Sequence, residues 1–217
     1  GALALTANTT GTSNVAVGAN ALDANTTANN NVAVGYEALT TNSTGVQNTA
    51  LGSQSLEYLQ TGNDNTGLGY VTLHNASGSQ NTAVGSRALQ DMTSGDDNTA
   101  VGYHALHTNT TASDNTAVGA NALFANTTGT SNVAVGAQSL DANTTASNNT
   151  AVGHASLGVT TTGHSNTSVG QGAAENVTTG SHNVAVGRNS LGSQTTASNN
   201  VAIGQSALFA NTTGTSN

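Results

Sequence analysis

The dominant feature of this sequence is a seventeen-residue repeat that runs along its whole length. Copies are aligned on Asn-(Thr/Val)-Ala-Val-Gly, and their spacing is constant except between Asn65 and Asn81, where one residue is missing. Residues 1–13 fit the last thirteen positions of a preceding copy. The sequence therefore predicts one continuous repeat array over 1–217, taken from a longer chain. The partial repeat is 1–13, and full repeats run from Asn14 to Ser216, beginning at Asn14, Asn31, Asn48, Asn65, Asn81, Asn98, Asn115, Asn132, Asn149, Asn166, Asn183 and Asn200.

Each copy has the composition of a β-structure. Counting the first Asn as position 1, position 5 is Gly in every copy and position 9 is Leu in all but one, where Ala174 stands instead. A glycine and several β-branched residues in every copy disfavour a helix. We predict an all-β unit with a strand at positions 1–4, a glycine turn at position 5, a second strand at positions 6–10 and a polar loop.

A single copy is too small to fold alone. Burial of its Val at position 4 and its Leu at position 9 contributes roughly 1.5–3 kcal/mol each, whereas ordering the backbone costs about 1–2 kcal/mol per residue. Neighbouring copies must share hydrogen bonds and apolar surface. The predicted fold is a parallel β-solenoid of about 13 coils with two short strands per coil, in which identical residues form columns about 4.8 Å apart.

The columns also predict what lies inside. Stacked Asn amides at position 1 can hydrogen-bond along the axis, whereas a column of like charges would repel itself. Side chains alternate along a strand, so positions 2 and 4 face one way and position 3 the other. We expect positions 2, 4 and 9 to fill the coil. Position 3, which is always small, is expected to help pack neighbouring chains.

The composition excludes several classes of function. Arg87 and Arg188 are the only cations besides histidine, and the net charge is −8. Two arginines cannot neutralise a run of phosphates, which argues against nucleic-acid binding. No stretch approaches 18 apolar residues, so no membrane insertion of this segment is predicted. The absence of cysteine excludes a thiol nucleophile and a Cys-based zinc site.

Candidate metal ligands are dispersed along the repeat. The histidines occupy positions 10, 7, 10, 6, 16 and 17 of their copies and form no column, although a trimer could gather three copies of one of them: His74, His104, His107, His154, His164 and His182. The acidic group Asp91, Asp96 and Asp97, with Asp114 one coil further on, favours a solvated loop over a calcium site because no EF-hand pattern is present. No Ser, His and Asp set has a reason to converge. We predict no catalytic, cofactor-binding or metal-binding residues, and the sequence does not identify a ligand site.

Polar residues of the loop leave alternatives open. Position 14 is nearly always Thr, and a regular threonine array could bind ice. Alternatively, Thr and Asn close the loop through local side-chain to backbone bonds. The threonines are Thr10, Thr27, Thr44, Thr61, Thr111, Thr128, Thr145, Thr162, Thr179, Thr196 and Thr213. Sequons in this Asn- and Thr-rich repeat arise from composition, and on that ground we predict no N-glycosylation at Asn8, Asn25, Asn109, Asn126, Asn143 or Asn211.

Three copies deviate from the consensus, and recognition would concentrate at such irregular, aromatic-bearing places. They contain Glu57 and Tyr58, Tyr70 and His74, and residues 172–175. Alternatively, the deviations are sequence drift, since single exposed apolar residues need no functional explanation.

The repeat resembles the head repeats of trimeric autotransporter adhesins, the YadA-like family, whose unit carries Asn-Ser-Val-Ala-Ile-Gly. Residues 200–204 (Asn-Val-Ala-Ile-Gly) are nearest, and residues 132–136 (Asn-Val-Ala-Val-Gly) are typical. Residues 115–131 are similar to a longer unit, N-T-A-V-G-x-x-A-L-x-x-N-T-T-G, of large bacterial surface proteins and phage tail fibres. The resemblance implies a left-handed parallel β-roll with three chains side by side.

Together, these patterns predict a non-enzymatic, extracellular, fibrous protein without cofactors, and the resemblance implies that it is a homotrimer. It would extend a cell-surface adhesin or filament and present a repetitive attachment surface to an unknown host or surface receptor. The alternatives are a phage tail-fibre shaft on a virion and, third, an ice-binding threonine array.

Overall fold

The computed structural model describes residues 1–217 and contains twelve three-residue strands and no helix. Each strand occupies positions 2–4 of one copy. The chain divides into two compact units, residues 1–111 and 112–217, and each is described by itself. Unit 1 contains β1 Val15–Val17, β2 Val32–Val34, β3 Thr49–Leu51, β4 Thr66–Leu68, β5 Thr82–Val84 and β6 Thr99–Val101. Unit 2 contains β7 Thr116–Val118, β8 Val133–Val135, β9 Thr150–Val152, β10 Thr167–Val169, β11 Val184–Val186 and β12 Val201–Ile203.

Successive strands within each unit pair in parallel with equivalent residues opposite one another. Ala16 lies beside Ala33 in unit 1, and Ala134 lies beside Ala151 in unit 2. The predicted parallel β-solenoid is therefore confirmed in both units. Continuity of one array over 1–217 stays a prediction.

The short copy, residues 65–80, does not disturb this register. Thr66 still lies opposite Thr82, because the missing residue falls in the loop between positions 12 and 15. Differences in copy length are absorbed outside the strands.

The predicted second strand is wrong. Positions 6–10 form turns, because the residues at positions 7 and 9 adopt left-handed backbone conformations. In one coil of unit 1, Asn20 has φ of 58° and Leu22 has φ of 51°. These turns still bond neighbouring coils, as when Leu22 N–H donates to the Ala38 carbonyl at 3.0 Å. The predicted count of about 13 coils is slightly too high: the chain has twelve strands, one in each full copy, and residues 1–13 form no strand.

The predicted assignment of the strand faces is also wrong. Position 3 is buried, as at Ala33 and Ala134, which are fully covered. Positions 2 and 4 point outwards, and Val17 is 56% exposed. The predicted alternation of side chains between the two sides of the strand is correct. The inward side was assigned wrongly because a coil with one strand is narrow. The leucine at position 9, which is fully buried at Leu22 and Leu123, leaves room beneath the strand only for a small side chain.

Two exceptions at position 3 show how tight this interior is. A Cβ added to Gly67 would lie 2.5 Å from Ser55 Oγ and 2.9 Å from Thr72 Oγ1, so glycine accompanies larger residues at position 8. In unit 2, the buried Ser168 accepts a hydrogen bond from Ser156 at 2.8 Å. A polar residue at position 3 is thus matched by a polar partner at position 8.

A row of buried asparagines at position 1 links the coils of each unit. Asn149 Oδ1 accepts the backbone N–H of Asn166 at 2.9 Å and the Asn166 side-chain amide at 3.2 Å. Asn149 Nδ2 donates to the Gly163 carbonyl of its own coil at 2.9 Å. The expected amide ladder is confirmed, and each side chain also closes its own loop.

Candidate functional site

Two surfaces flank the glycine turn. The sheet face consists of the outward side chains at positions 2 and 4 of the strands. The turn face consists of the side chains at positions 6, 7, 10 and 11. Most charged and aromatic residues of unit 1 lie on the turn face, because the inward positions of the coil hold small, aliphatic, methionine or amide side chains.

The sheet face of each unit is a strip of Thr, Val, Leu and Ile in register. Four threonines occupy successive coils at position 2 in unit 1: Thr49, Thr66, Thr82 and Thr99. Position 4 is always aliphatic, and Leu51 is 45% exposed while Val135 is 36% exposed. The strip carries no charge. A charged surface packed against it would lose its hydration without gaining an ion pair, so the strip suits contact with water or with another uncharged surface.

The deviant copies of unit 1 form a polar contact on the turn face. His74 Nε2 lies 2.9 Å from Glu57 Oε2, and Glu57 is buried. The Tyr58 ring meets His74 edge-on, with ring centroids 4.8 Å apart. A hydrogen bond to Glu57 and the negative charge of that carboxylate raise the pKa of Tyr58.

A second contact on this face involves two histidines. The Tyr103 and His104 rings stack with centroids 3.8 Å apart, and His104 lies 4.6 Å from the His107 ring. His107 Nδ1 is 3.6 Å from Asp91 Oδ2. Burial lowers the pKa of His104, and the charges of His107 and Arg87 lower it further. Burial also lowers the pKa of His107, which the Asp91 carboxylate opposes.

Unit 2 has a surface pocket of about 160 Å³ on its turn face. It exists because Gly158 at position 10 has no side chain, while the neighbouring coils carry Asp141 and Glu175 at the same position. Burial raises the pKa of Asp141. Residues 172–175 are deviant in sequence, but the pocket itself was not predicted. A glycine between two acidic residues in one column was the available signal.

The acidic residues singled out in the sequence do not form one cluster in unit 1. Asp91 contacts His107 on the turn face, whereas Asp96 lies in the loop and accepts the Ser79 backbone N–H at 2.7 Å. Asp97 occupies position 17 with φ of 57°. Nothing in the chain brings three His, Cys, Asp or Glu residues into an arrangement that could hold a metal ion.

Two histidines in unit 2 lie closer together than their spacing indicated. The His164 and His182 rings have centroids 5.0 Å apart. They occupy positions 16 and 17 of successive copies, so identity of repeat position did not predict their contact. His154 lies at an exposed position 6.

The loop residues act mainly within and between coils. At position 13, the Thr127 hydroxyl donates to the Thr144 carbonyl of the next coil at 2.9 Å. At position 12, Asn126 Nδ2 donates to the Gly129 carbonyl at 2.9 Å. Local loop closure by side chains is therefore confirmed. The threonines of position 14, such as Thr128 and Thr145, are exposed in bends outside the strands.

The sequon asparagines belong to this closing network. Asn25, Asn109, Asn126 and Asn143 are fully buried. A glycosyltransferase could reach these side chains only before the coils fold.

Comparisons with family models, curated proteins and solved structures find no match. No helix of the chain has the length and apolar character needed to span a bilayer. The solenoid and its surfaces are therefore the basis for any functional assignment.

Proposed function

We propose that this chain is an extracellular fibrous region that associates with copies of itself and presents a repetitive surface for attachment. The observation that carries the proposal is the uncharged sheet face in each unit. Exposed aliphatic rows of this kind mark association surfaces, because monomeric soluble proteins rarely leave extended apolar patches uncovered.

The regular register supports self-association rather than a single small ligand. Uncharged side chains of similar size recur in every coil of the sheet face, so a second copy can match it coil for coil. A thin coil with an alanine-lined interior buries little apolar surface by itself, and packing sheet faces together would add the missing burial. We propose a homotrimer, in line with the resemblance to trimeric adhesin repeats.

Attachment is assigned to the turn face, which carries the exposed aromatic and charged side chains. Repetition along a fibre lets individually weak contacts add up through avidity. A bacterial surface adhesin or filament is the first setting that we propose, and a phage tail-fibre shaft is the alternative. Catalysis and cofactors are not part of the proposal.

The oligomeric state tests the proposal directly. We expect light scattering coupled to size-exclusion chromatography to give three times the chain mass, and the doubly substituted Val135→Lys and Val152→Lys chain to become monomeric. The matched control carries Gln171→Lys and Gln205→Lys, two exposed turn-face positions, and should remain associated. A monomeric wild-type chain with full β-structure would contradict self-association.

The sheet face also favours one second candidate. Four threonines in register on successive parallel strands suit the ordering of water better than the position 14 threonines, which lie in bends. Ice binding requires this face to be free, so it is compatible only with a monomer. Thermal hysteresis of a monomeric preparation would support it, and its absence at high concentration would exclude it.

A further inference from the structure

The turn face of unit 1 carries an evenly spaced row of tyrosines. Position 6 is tyrosine in every second coil, at Tyr36, Tyr70 and Tyr103, and serine in the coils between them, at Ser53 and Ser86. The three tyrosines are 51%, 49% and 53% exposed. We call these five residues the tyrosine row.

The backbone fixes the spacing of the tyrosine row. The carbonyl of Tyr36 accepts the N–H of Gln54 at 2.8 Å, and the carbonyl of Ser53 accepts the N–H of Val71 at 3.1 Å. The same bond recurs between Tyr70 and Arg87 at 2.9 Å. Since hydrogen-bonded coils repeat about every 4.8 Å, tyrosines two coils apart are separated by about 9.6 Å along the axis.

Polar side chains accompany the row at position 7. Gln54 Nε2 donates to Glu37 Oε2 at 3.2 Å, and Arg87 is exposed two coils further along. The Tyr103 ring is held against His104 by stacking. Aromatic surface with donors and acceptors beside it is the composition of a site for a molecule that is apolar on its faces and polar at its edges.

We propose that the tyrosine row binds an extended, neutral, β-1,4-linked polysaccharide laid along the solenoid axis. The faces of pyranose rings are lined with C–H groups that stack on aromatic rings, while their hydroxyl groups bond at the edge. In a twofold β-1,4-linked chain every second sugar presents the same face. The length of two such sugars is close to the axial separation of two coils. The order tyrosine, serine, tyrosine along the row therefore matches the alternation of the sugar faces.

The charge of the chain and the rigidity of its backbone further restrict the class of ligand. The chain carries ten carboxylates and two arginines, which disfavours an anionic polysaccharide. Because hydrogen-bonded coils already hold the row in place, binding costs little ordering of the protein. The inference rests on the proposed attachment role, to which it assigns a class of ligand.

Binding of cellohexaose to the full chain, measured by calorimetry, tests the proposal. We expect the combined Tyr36→Ala, Tyr70→Ala and Tyr103→Ala variant to bind at least about tenfold more weakly than the wild type. The control is Thr145→Ala, which removes an exposed side chain from a loop outside the turn face and should bind as the wild type does. Thermal unfolding of each variant establishes that it is folded.

A rearranged variant tests the spacing rather than the number of tyrosines. Ser53→Tyr combined with Tyr70→Ser keeps three tyrosines at position 6 but gives separations of one and three coils. We expect weaker binding than the wild type. Undiminished binding by this variant, or equal binding of the α-linked maltohexaose, would overturn the proposal.

The outcomes also separate this proposal from the proposed function. A trimeric chain that attaches to surfaces but does not bind cellohexaose would overturn the glycan assignment and leave the fibre role intact. A monomeric chain that binds cellohexaose through the tyrosine row would do the reverse.

Discussion

Truncation of one buried asparagine should destabilise the solenoid far more than its size indicates. In Asn149→Ala, the Asn166 backbone N–H loses its acceptor at 2.9 Å, and the Gly163 carbonyl loses its donor at 2.9 Å. A buried polar group left without a partner costs about 1–3 kcal/mol. Two such groups give a loss of about 2–6 kcal/mol in the free energy of unfolding.

Denaturant unfolding followed by circular dichroism measures this loss. Protein concentration must be held constant, because association shifts the apparent stability. The control is Thr145→Ala, an exposed side chain in a bend of the same unit, for which a change within about 0.5 kcal/mol is expected. If both variants unfold at the same denaturant concentration, the asparagine row does not stabilise the stack as described.

Asn149→Asp separates loss of bonding from burial of charge. The new carboxyl keeps an acceptor for Asn166 but turns an oxygen towards the Gly163 carbonyl, so burial should raise its pKa above the unfolded value of about 3.9. The folded state then binds more protons than the unfolded state. The stability deficit relative to the wild type should therefore be largest at neutral pH and shrink as the pH falls towards about 4. An unchanged deficit would refute this argument.

Two further predictions concern the turn and its histidines. Gly119→Val should lower the melting temperature much more than Asn121→Ser. A Cβ at Gly119 (φ 138°) would lie 2.6 Å from the backbone of the next coil, whereas Asn121 is only half-buried. Equal melting temperatures of the two variants would contradict this prediction. The lowered pKa of His104 means that the unfolded state takes up its proton first, so stability should fall as the pH drops through about 6.5. His104→Gln should lose less stability between pH 7 and pH 5, and an identical pH profile for both chains would show that His104 does not contribute.

The fold could be predicted because periodicity constrains it at many places at once. The glycine column, the leucine column and the asparagine column all require stacked coils, and no single substitution obscures them. The faces of the strand could not be assigned in the same way. Alternation places Val17 and Ala16 on opposite sides, but which side is inside depends on the width of the coil. That width is set by left-handed residues such as Leu22, which the sequence pattern predicts to be strand.

The candidate site was only partly visible in the sequence. Tyr70 and Glu57 stand out as deviations within single copies. The alternation of Tyr36, Tyr70 and Tyr103 with serine becomes apparent only when position 6 is compared between copies. The contact between Glu57 and His74 was not predicted either, although both residues occupy position 10 of successive copies. Unlike residues at one repeat position can therefore contact each other between coils, although the consensus sequence does not contain them.

The short copy has a consequence for how such chains change. Strand register survives the deletion because Thr66 still faces Thr82, and the deleted residue lies at the loop corner. That corner is therefore a suitable insertion point, where a peptide could be added without breaking the hydrogen bonds between successive strands. A change of loop length there leaves the paired strands in place, so individual coils can diverge in their loops while the scaffold stays constant.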